Sequence, residues 1–268
     1  MKFLRLFVEH KNILILIPSR YHSSRFEGKP LVPINGKSLI KRVYEGCERI
    51  KTSNQGKNLL NVDIAVVTDD DRIEKHVKDF DGEVVRVDEK LESGTLRIEK
   101  AYKKYFREKK KYDVIINVQG DEPLIDGPDL QNLADFHINS QFSISTIVKP
   151  ESMSNENIKS SDKVKAIYSK ENGKCHFFTR AEVPYIRDQS DASDNNEWFL
   201  HIGVYAYSPE SLLNYCLLKP SYYEELEKLE QLRALENNMT IGAIITSHEM
   251  IGIDTPEDII KLEGVLSE

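Results

Sequence analysis

The chain has 268 residues, and its 37 lysines and arginines against 44 aspartates and glutamates give a net charge of −7 with neutral histidines. An acidic balance argues against a general nucleic-acid or membrane-surface binder, because both partners are polyanions, but it leaves room for one small anionic ligand held by local cations. With 40% hydrophobic and 30% charged residues, the composition is that of a globular protein rather than a disordered one.

Short β-branched runs alternate with amphipathic runs in the first half of the chain, which predicts βαβ units around a largely parallel sheet. An unbroken apolar run at 13–17 is typical of a strand buried on both faces. Three further strands are predicted, at 63–67, 83–87 and 114–118. The helices predicted in this half cover residues 38–50, 71–80 and 96–108.

The middle of the chain predicts antiparallel strands between about residues 143 and 208. Asn172-Gly173 lies between two alternating runs, at 164–168 and 175–178, and such a pair is a strong hairpin signal. The region ends in a strand at 201–207, after a polar, turn-rich stretch at 187–197 that we interpret as a loop.

Helical patterns return after this region. Helices are predicted at 209–218 and 224–237, followed by a strand at 240–245. A last helix begins at Thr255-Pro256, since proline at the first helical position and acids in the first turn are typical of an N-terminus. Together the elements predict an α/β fold.

The cysteines and the N-terminal segment give no indication of export or of zinc. Cys47, Cys175 and Cys216 form no CxxC pair and fit a reducing cytoplasm. The start MKFLRLFVEHK is interrupted by Arg5 and has no small-residue cleavage site, so we interpret it as a short extension rather than a signal peptide.

Three cations, Arg20, Arg25 and Lys29, follow the first predicted strand, with two serines and one glycine among them. Ligands of parallel sheets lie at the carboxyl ends of the strands, and these cations suit the oxygens of a triphosphate. The loop is not a Walker A sequence, and the chain contains no GxGxxG, which counts against a nicotinamide or flavin enzyme. A solvated basic loop is the alternative on charge alone.

Two aspartates, Asp121 and Asp254, also follow predicted strands. Mg²⁺ keeps most of its waters and takes one or two protein carboxylates together with substrate phosphates. Both residues are therefore candidate magnesium ligands; the alternative is a turn or helix-capping aspartate for Asp121 and a helix cap beside Thr255 for Asp254.

Other polar residues carry weaker signals. The stretch from Ser93 to Arg97 begins a helix where amides, hydroxyls and a guanidinium suit a nucleotide, although a simple N-cap explains it equally well. Arg180, His201 and Tyr205 lie near strand ends, where each residue taken singly is more often structural. Most of 225–236 is an amphipathic helix, and the basic run at 103–111 fits a solvated helix face.

Taken in order, these motifs resemble the bacterial 3-deoxy-manno-octulosonate (Kdo) cytidylyltransferases, also called CMP-Kdo synthetases. The matching stretches cover nearly the whole chain from about residue 13: IPSRYHSSRFEGKPLVPINGK, VVTDDDRI, SGTLRI, IINVQGDEP, FFTRAEVPYIRD, HIGVYAY, LEKLEQLRALE and GIDTPED. The resemblance implies a single nucleotidyltransferase-type domain over residues 1–268, a three-layer α/β fold with a mostly parallel central sheet and an antiparallel insertion. Residues 1–120 would form the CTP-binding half, and residues 121–268 the half for the sugar acid and for dimerisation.

The resemblance also implies the reaction: an enzyme that transfers CMP from CTP to the anomeric hydroxyl of Kdo or a close analogue, with release of pyrophosphate, for lipopolysaccharide or capsule sugar synthesis. It implies Mg²⁺ as cofactor, a homodimer, a cytoplasmic location, and neither nucleic acid nor membrane as partner. The implied catalytic residues are Arg20, Arg25, Lys29, Asp121 and Asp254, of which the two aspartates are the metal ligands. The implied nucleotide-binding residues are Arg20, Ser24, Arg25, Lys29, Ser93, Gly94 and Arg97. The implied sugar-acid pocket consists of Gln119, Arg180, His201, Tyr205, Glu230 and Gln231.

The chain departs from the family pattern at three positions. Leu96 stands where an acid is usual, Leu200 where a lysine or arginine is common, and Glu27 where proline is usual. The alternatives are a cytidylyltransferase for 8-amino-Kdo or a sialic-type acid, a nucleotidyltransferase for another sugar, and a catalytically silent nucleotide-binding homologue. The joint presence of Asp121, Asp254 and Lys29 speaks against the silent homologue. No residue is identified as a dedicated base.

Overall fold

A mixed β-sheet forms the centre of the molecule in the computed structural model, which describes residues 10–22, 26–53, 60–187 and 196–267. The strands in chain order are β1 (Lys11–Pro18), β2 (Pro33–Ile34), β3 (Lys37–Ser38), β4 (Leu60–Thr68), β5 (Val84–Arg86), β6 (Val114–Val118), β7 (Ile144–Ser152), β8 (Lys165–Tyr168), β9 (Lys174–Thr179), β10 (Glu197–Tyr207) and β11 (Ile241–Ile245). Strands β2 and β3 pair in a small separate hairpin. Within the described residues the other nine strands form one sheet in the order β5-β4-β1-β6-β10-β7-β11-β9-β8.

Helices cover both faces of this sheet. In chain order they are α1 (Leu39–Glu48), α2 (Ile50–Ser53), α3 (Asp71–Asp79), α4 (Gly94–Ala101), α5 (Gly127–Asn139), α6 (Pro209–Leu217), α7 (Tyr222–Glu227), α8 (Gln231–Glu236) and α9 (Pro256–Val265). Short 3₁₀-helices lie at Lys29–Leu31 and Glu156–Lys159, and a π-helical turn at Tyr102–Phe106 continues α4.

Strand β1 shows how the layers form. Its side chains from Ile13 to Ile17 are fully buried and alternate between two cores, because successive residues of a strand point to opposite faces. Ile13, Ile15 and Ile17 join the core under α1, α3, α5 and α9, whereas Leu14 and Leu16 join the core under α4, α6 and α8. The three-layer α/β fold expected from the sequence is confirmed.

The sheet is parallel only in its first half. Strands β5, β4, β1 and β6 run parallel, whereas the long strand β10 pairs antiparallel with β6, β7 and β8. Beyond β6 the β7–β11 pair is parallel, while β9 pairs antiparallel with both β11 and β8. The antiparallel strands are thus part of the central sheet itself, and the sheet is more mixed than the expected mostly parallel arrangement.

Several predicted elements agree with the structure. Strand β6 begins and ends where the sequence pattern places it, and β8 and β9 form the predicted antiparallel hairpin. At the turn of this hairpin Gly173 adopts φ +73°, a left-handed conformation that favours glycine.

The prediction of a single helix at 224–237 is wrong. The chain forms two short helices, α7 and α8, because Lys228 adopts a left-handed conformation with φ +54° and ends α7. The helical spacing of the leucines continues across this break, since Leu229 and Leu232 are both buried. The interruption brings the segment that begins at Glu230 to the candidate site.

In residues 10–22, 26–53, 60–187 and 196–267 no helix combines the length and apolar character that crossing a membrane requires. The segment at 187–197, interpreted as a loop, lies largely outside the described residues.

Acid stability tests the packing between α5 and β7. His137 of α5 is buried, and its Nδ1 lies 2.8 Å from Ser145 Oγ. Burial lowers the pKa of His137 to about 4, so below the ordinary value of about 6.5 the unfolded chain binds a proton that the folded protein excludes. We predict that, between about pH 7 and about pH 5, the free energy of unfolding of the native protein falls by about 2 kcal/mol more than that of His137→Asn, because the variant lacks the titrating group. Urea unfolding at both pH values measures this difference, and equal losses in the two proteins would contradict it.

Candidate active site

The carboxyl ends of β1 and β6 and the beginning of α4 approach one another closely. A Cβ atom at Gly94 would lie 3.1 Å from Pro18 Cγ, and one at Gly120 would lie 3.2 Å from the Pro18 carbonyl oxygen. Glycine at both positions therefore allows the loops after β1 and β6 and the N-terminus of α4 to meet. This edge of the sheet is where an α/β fold places its ligands.

Lys29 lies at the centre of this edge. Its Nζ donates to Asp121 Oδ2 at 2.7 Å and to the carbonyl oxygen of Ile253 at 2.7 Å, and it lies 3.9 Å from Asp254 Oδ1. The preceding residue, Gly28, adopts φ +70° and would bring a Cβ to 3.1 Å from the Tyr21 ring. Three distant segments of the chain thus meet at one ammonium group.

A cavity of about 370 Å³ surrounds this ammonium, and we call it the Lys29 cavity. Its lining residues are Pro18, Ser19, Arg20, His22, Lys29, Pro30, Gln119, Gly120, Asp121 and Asp254. The buried Ser19 Oγ has no hydrogen-bond partner among the described residues, although Ser19 is not one of the predicted site residues. The predicted residues Ser24 and Arg25 lie outside the described residues.

A second cavity, of about 340 Å³, shares Gln119 and Asp254 with the first, and we call it the Gln231 cavity. The residues predicted for a sugar-acid pocket all line it: Gln119, Arg180, His201, Tyr205, Glu230 and Gln231. The structure therefore brings together six residues that span more than a hundred positions of the chain.

Two buried polar atoms in the Gln231 cavity have no protein partner in the described part of the chain, namely Glu230 Oε2 and Gln231 Nε2. The Tyr205 hydroxyl donates to Gln231 Oε1 at 3.2 Å, so the amide is oriented with its nitrogen unpaired. Burial raises the pKa values of Glu230 and of Tyr205. Because an unpaired buried polar group is costly, this pair is prepared for a polar ligand.

His201 contributes a neutral ring. Its Nε2 lies 3.1 Å from Thr146 Oγ1, and its ring meets Phe178 edge-on with 4.9 Å between centroids. Burial lowers the pKa of His201 to about 3, so the ring carries no charge at neutral pH. His201 shapes the cavity and offers hydrogen bonds without acting as a cation.

Arg180 is held in place by the backbone around it. Its Nε donates to the carbonyl oxygen of Glu227 at 2.8 Å, and its Nη1 donates to the carbonyl oxygen of Ser161 at 2.8 Å. Its own backbone N–H donates to Glu227 Oε2 at 2.6 Å. The guanidinium group is therefore oriented at the cavity wall before any ligand binds.

Arg97 does not join the cations of the cleft. Its side chain is buried, with Nη2 donating to Asp69 Oδ2 at 2.8 Å and Nη1 to the Val87 carbonyl oxygen at 2.7 Å. This ion pair ties α4 to the segments that follow β4 and β5. The expectation that Arg97 presents its charge to a nucleotide therefore differs from the structure. Ser93 and Gly94, in contrast, do lie at the edge of the cleft. There Ser93 Oγ accepts a hydrogen bond from Leu96 N and caps α4.

The sequence interpretation missed several residues of the Gln231 cavity, among them Glu122 and Lys163. Burial raises the pKa of Glu122 to about 8, and the charge of neighbouring Asp121 acts in the same direction. The position of Glu122 directly after Asp121 was the signal in the sequence that could have indicated it. Lys163 belongs to a polar stretch without a motif, so no pattern indicated it.

The departures from the family pattern have simple local surroundings. Glu27 Oε1 lies 3.0 Å from Nδ1 of His22, and both side chains are exposed. Leu200 lines the Gln231 cavity, whereas Leu96 lies in the first turn of α4.

Asp121 and Asp254 form a two-carboxylate set that converges on one cation, Lys29. No group of three or more histidine, cysteine, aspartate or glutamate side chains suited to a metal occurs in the described ranges. Two carboxylates with open positions fit Mg²⁺, which completes its shell with water and phosphate oxygens, and do not fit a closed zinc site.

Comparisons with known proteins show the family of the chain. The model of the cytidylyltransferase family matches residues 14–241. A 3-deoxy-manno-octulosonate cytidylyltransferase from Cytophaga hutchinsonii is 39% identical over 254 residues, which cover 94% of this chain and 96% of that protein. An 8-amino-3,8-dideoxy-manno-octulosonate cytidylyltransferase from a Shewanella species is 39% identical over 258 residues, which cover 96% of this chain and 99% of that protein.

A solved structure of CMP:2-keto-3-deoxy-manno-octonic acid synthetase, complexed with CTP, superimposes with a TM-score of 0.80 at 30% identity. The match covers 96% of this chain and 99% of that chain. The chain therefore belongs to the cytidylyltransferase family, and within it to the 3-deoxy-manno-octulosonate cytidylyltransferases and their 8-amino relatives.

Proposed function

We propose that the protein transfers CMP from CTP to the anomeric hydroxyl of Kdo and releases pyrophosphate. One observation carries the proposal: the Lys29 cavity and the Gln231 cavity meet at Gln119 and Asp254. A transfer reaction needs two substrates in adjacent sites with the reacting atoms at the border. The CTP in the related structure and the names of the relatives supply the two substrates.

In this proposal the triphosphate occupies the Lys29 cavity. Arg20 is exposed at its rim, with Nη1 3.3 Å from the Leu91 carbonyl oxygen, and Lys29 lies within it. Ser19 Oγ, buried without a partner among the described residues, is available for a phosphate oxygen. The predicted loop residues Ser24 and Arg25 remain part of the nucleotide site by resemblance.

The sugar acid occupies the Gln231 cavity. Glu230 Oε2 and Gln231 Nε2 suit a hydroxyl-rich ligand, because the carboxyl group accepts hydrogen bonds and the amide nitrogen donates them. The neutral ring of His201 and the hydroxyl of Tyr205 complete a mostly polar wall.

Asp121 and Asp254 would hold Mg²⁺ at the border of the two cavities. When bound, the ion supplies positive charge that offsets the phosphate charge during transfer. Lys29 holds both carboxylates at this border, and its ammonium stabilises negative charge on the phosphates. The sugar hydroxyl oxygen forms a bond to the α-phosphorus, the bond to pyrophosphate breaks, and the hydroxyl proton is released.

A second candidate substrate is the 8-amino analogue of Kdo. The Shewanella relative that carries this name is as similar in sequence as the Cytophaga relative named for Kdo. Leu96 and Leu200, which differ from the usual family residues, flank the two substrate regions.

The assembly and the setting belong to the same proposal and rest on the family resemblance. We infer a homodimer, a cytoplasmic location and a role in lipopolysaccharide or capsule sugar synthesis. The free thiols of Cys47, Cys175 and Cys216 are compatible with a reducing compartment.

A substrate panel tests the reaction. We predict that pyrophosphate release requires both CTP and a 2-keto-3-deoxy sugar acid, with Kdo the preferred acid over its 8-amino analogue and over a sialic-type acid. Chelation of divalent cations stops release and added Mg²⁺ restores it. Coupled detection of pyrophosphate across nucleotides and acids measures the preference. Turnover with ATP in place of CTP, or no turnover with any acid, would contradict the proposal.

Substitution of the two aspartates tests the border of the cavities. We predict that Asp121→Ala and Asp254→Ala each lower kcat by about 10²-fold or more, because charge stabilisation at the phosphates is lost. Thermal unfolding establishes that each variant is folded. The exposed Asp81→Asn serves as the control and keeps native turnover. Near-native turnover in either alanine variant removes that residue from the metal site.

Gln231→Met tests the sugar cavity. The methionine fills similar volume but removes the unpaired Nε2 donor, so we predict that KM for the sugar acid rises about tenfold while KM for CTP stays within about twofold. Steady-state kinetics with each substrate varied in turn measures the two constants. A rise in KM for CTP alone would contradict this prediction and assign Gln231 to the nucleotide site.

A further inference from the structure

Lys163 lines the Gln231 cavity, yet none of the proposed substrate contacts involves it. It is half-buried, and its ammonium forms no hydrogen bond or ion pair with any residue in the described ranges. Lys163 is thus a cation at the cavity wall to which no anion of the described residues is bound.

Arg180 by itself provides limited binding for a carboxylate. Two of its three guanidinium nitrogens, Nε and Nη1, already donate to the carbonyl oxygens of Glu227 and Ser161. Its Nη2 is the nitrogen left without a partner among the described residues. A carboxylate offers two oxygens with about four acceptor positions, so Nη2 alone leaves positions for a second donor, and a cationic donor forms the stronger hydrogen bond.

The buried Lys165 places Lys163 and Arg180 beside each other. Its Nζ donates to the carbonyl oxygens of Ser160 at 2.8 Å, of Lys163 at 2.8 Å and of Arg180 at 2.7 Å. The Lys165 side chain has no exposed surface, so these bonds are sheltered from water. Because one ammonium binds both carbonyl groups, the backbones of the two cavity cations are fixed relative to each other.

We propose that Lys163 binds the carboxylate of the sugar acid together with Nη2 of Arg180. The inference rests on the proposed function and adds the residue that recognises the acid group of its substrate. Asp162 and Glu122 also line the cavity, and the positive charges of Lys163 and Arg180 would offset theirs at a substrate carboxylate. The anionic substrate thereby finds positive charge within an acidic protein.

Kinetics with a charged and an uncharged ligand test this proposal. Lys163→Met should raise KM for the sugar acid about tenfold and leave KM for CTP within about twofold, whereas Lys163→Arg should retain most of the binding. The carboxamide of the same sugar acid, used as a competitive inhibitor, should show the same inhibition constant with the native protein and with Lys163→Met. Lys159→Met is the matched control, since Lys159 is exposed and pairs with Glu156 outside the cavity.

Two results would overturn the proposal. One is an unchanged KM for the sugar acid in Lys163→Met, and the other is an equal loss of binding for the acid and its carboxamide, which would place Lys163 at a hydroxyl group. An inactive native protein would instead contradict the proposed function, so the two failures are distinguishable. Thermal unfolding of each variant separates a binding loss from a folding loss.

Discussion

The ammonium of Lys29 is the contact on which the rest of the site depends. It bonds to Asp121 and to the Ile253 carbonyl oxygen and lies close to Asp254, so it joins the loop after β1, the loop after β6 and the segment before α9. Two carboxylates brought this close repel each other unless a cation lies between them. Since Asp254 lines both cavities, the ammonium also lies close to the place where the two substrates would meet.

Charge distribution, rather than total charge, explains how an acidic protein binds two anions. The chain carries a net charge of −7, yet Arg20, Lys29, Lys163 and Arg180 line the two adjacent cavities. Interactions inside a partly buried cleft are screened less than those across the surface, so these cations act on a bound anion more strongly than acids elsewhere on the surface do. The acidic surface therefore disfavours large polyanions without preventing small anionic substrates from binding.

The sequence predicts the parts of the site that follow directly from strand ends and motifs. Lys29 and Asp121 each follow a strand of the parallel half, and the carboxyl ends of such strands lie at one edge, so their meeting could be expected. The break between α7 and α8 at Lys228 could not be expected, because the helical spacing of the leucines continues through it. The pairing of Arg97 with Asp69 was equally hidden, because it joins α4 to the end of another strand. Lys163 lies at the cavity because of the position of β8 in the sheet, and no local sequence pattern predicts that position.

The most direct test of the two-cavity arrangement is a crystal structure of the protein with CTP and Kdo, or a non-reacting analogue of either, bound together. The triphosphate is expected beside Lys29 and Ser19, and the sugar acid beside Gln231, with the α-phosphate and the anomeric hydroxyl meeting at Gln119 and Asp254. A structure with the sugar acid outside the Gln231 cavity, or with the triphosphate away from Lys29, would contradict the central claim.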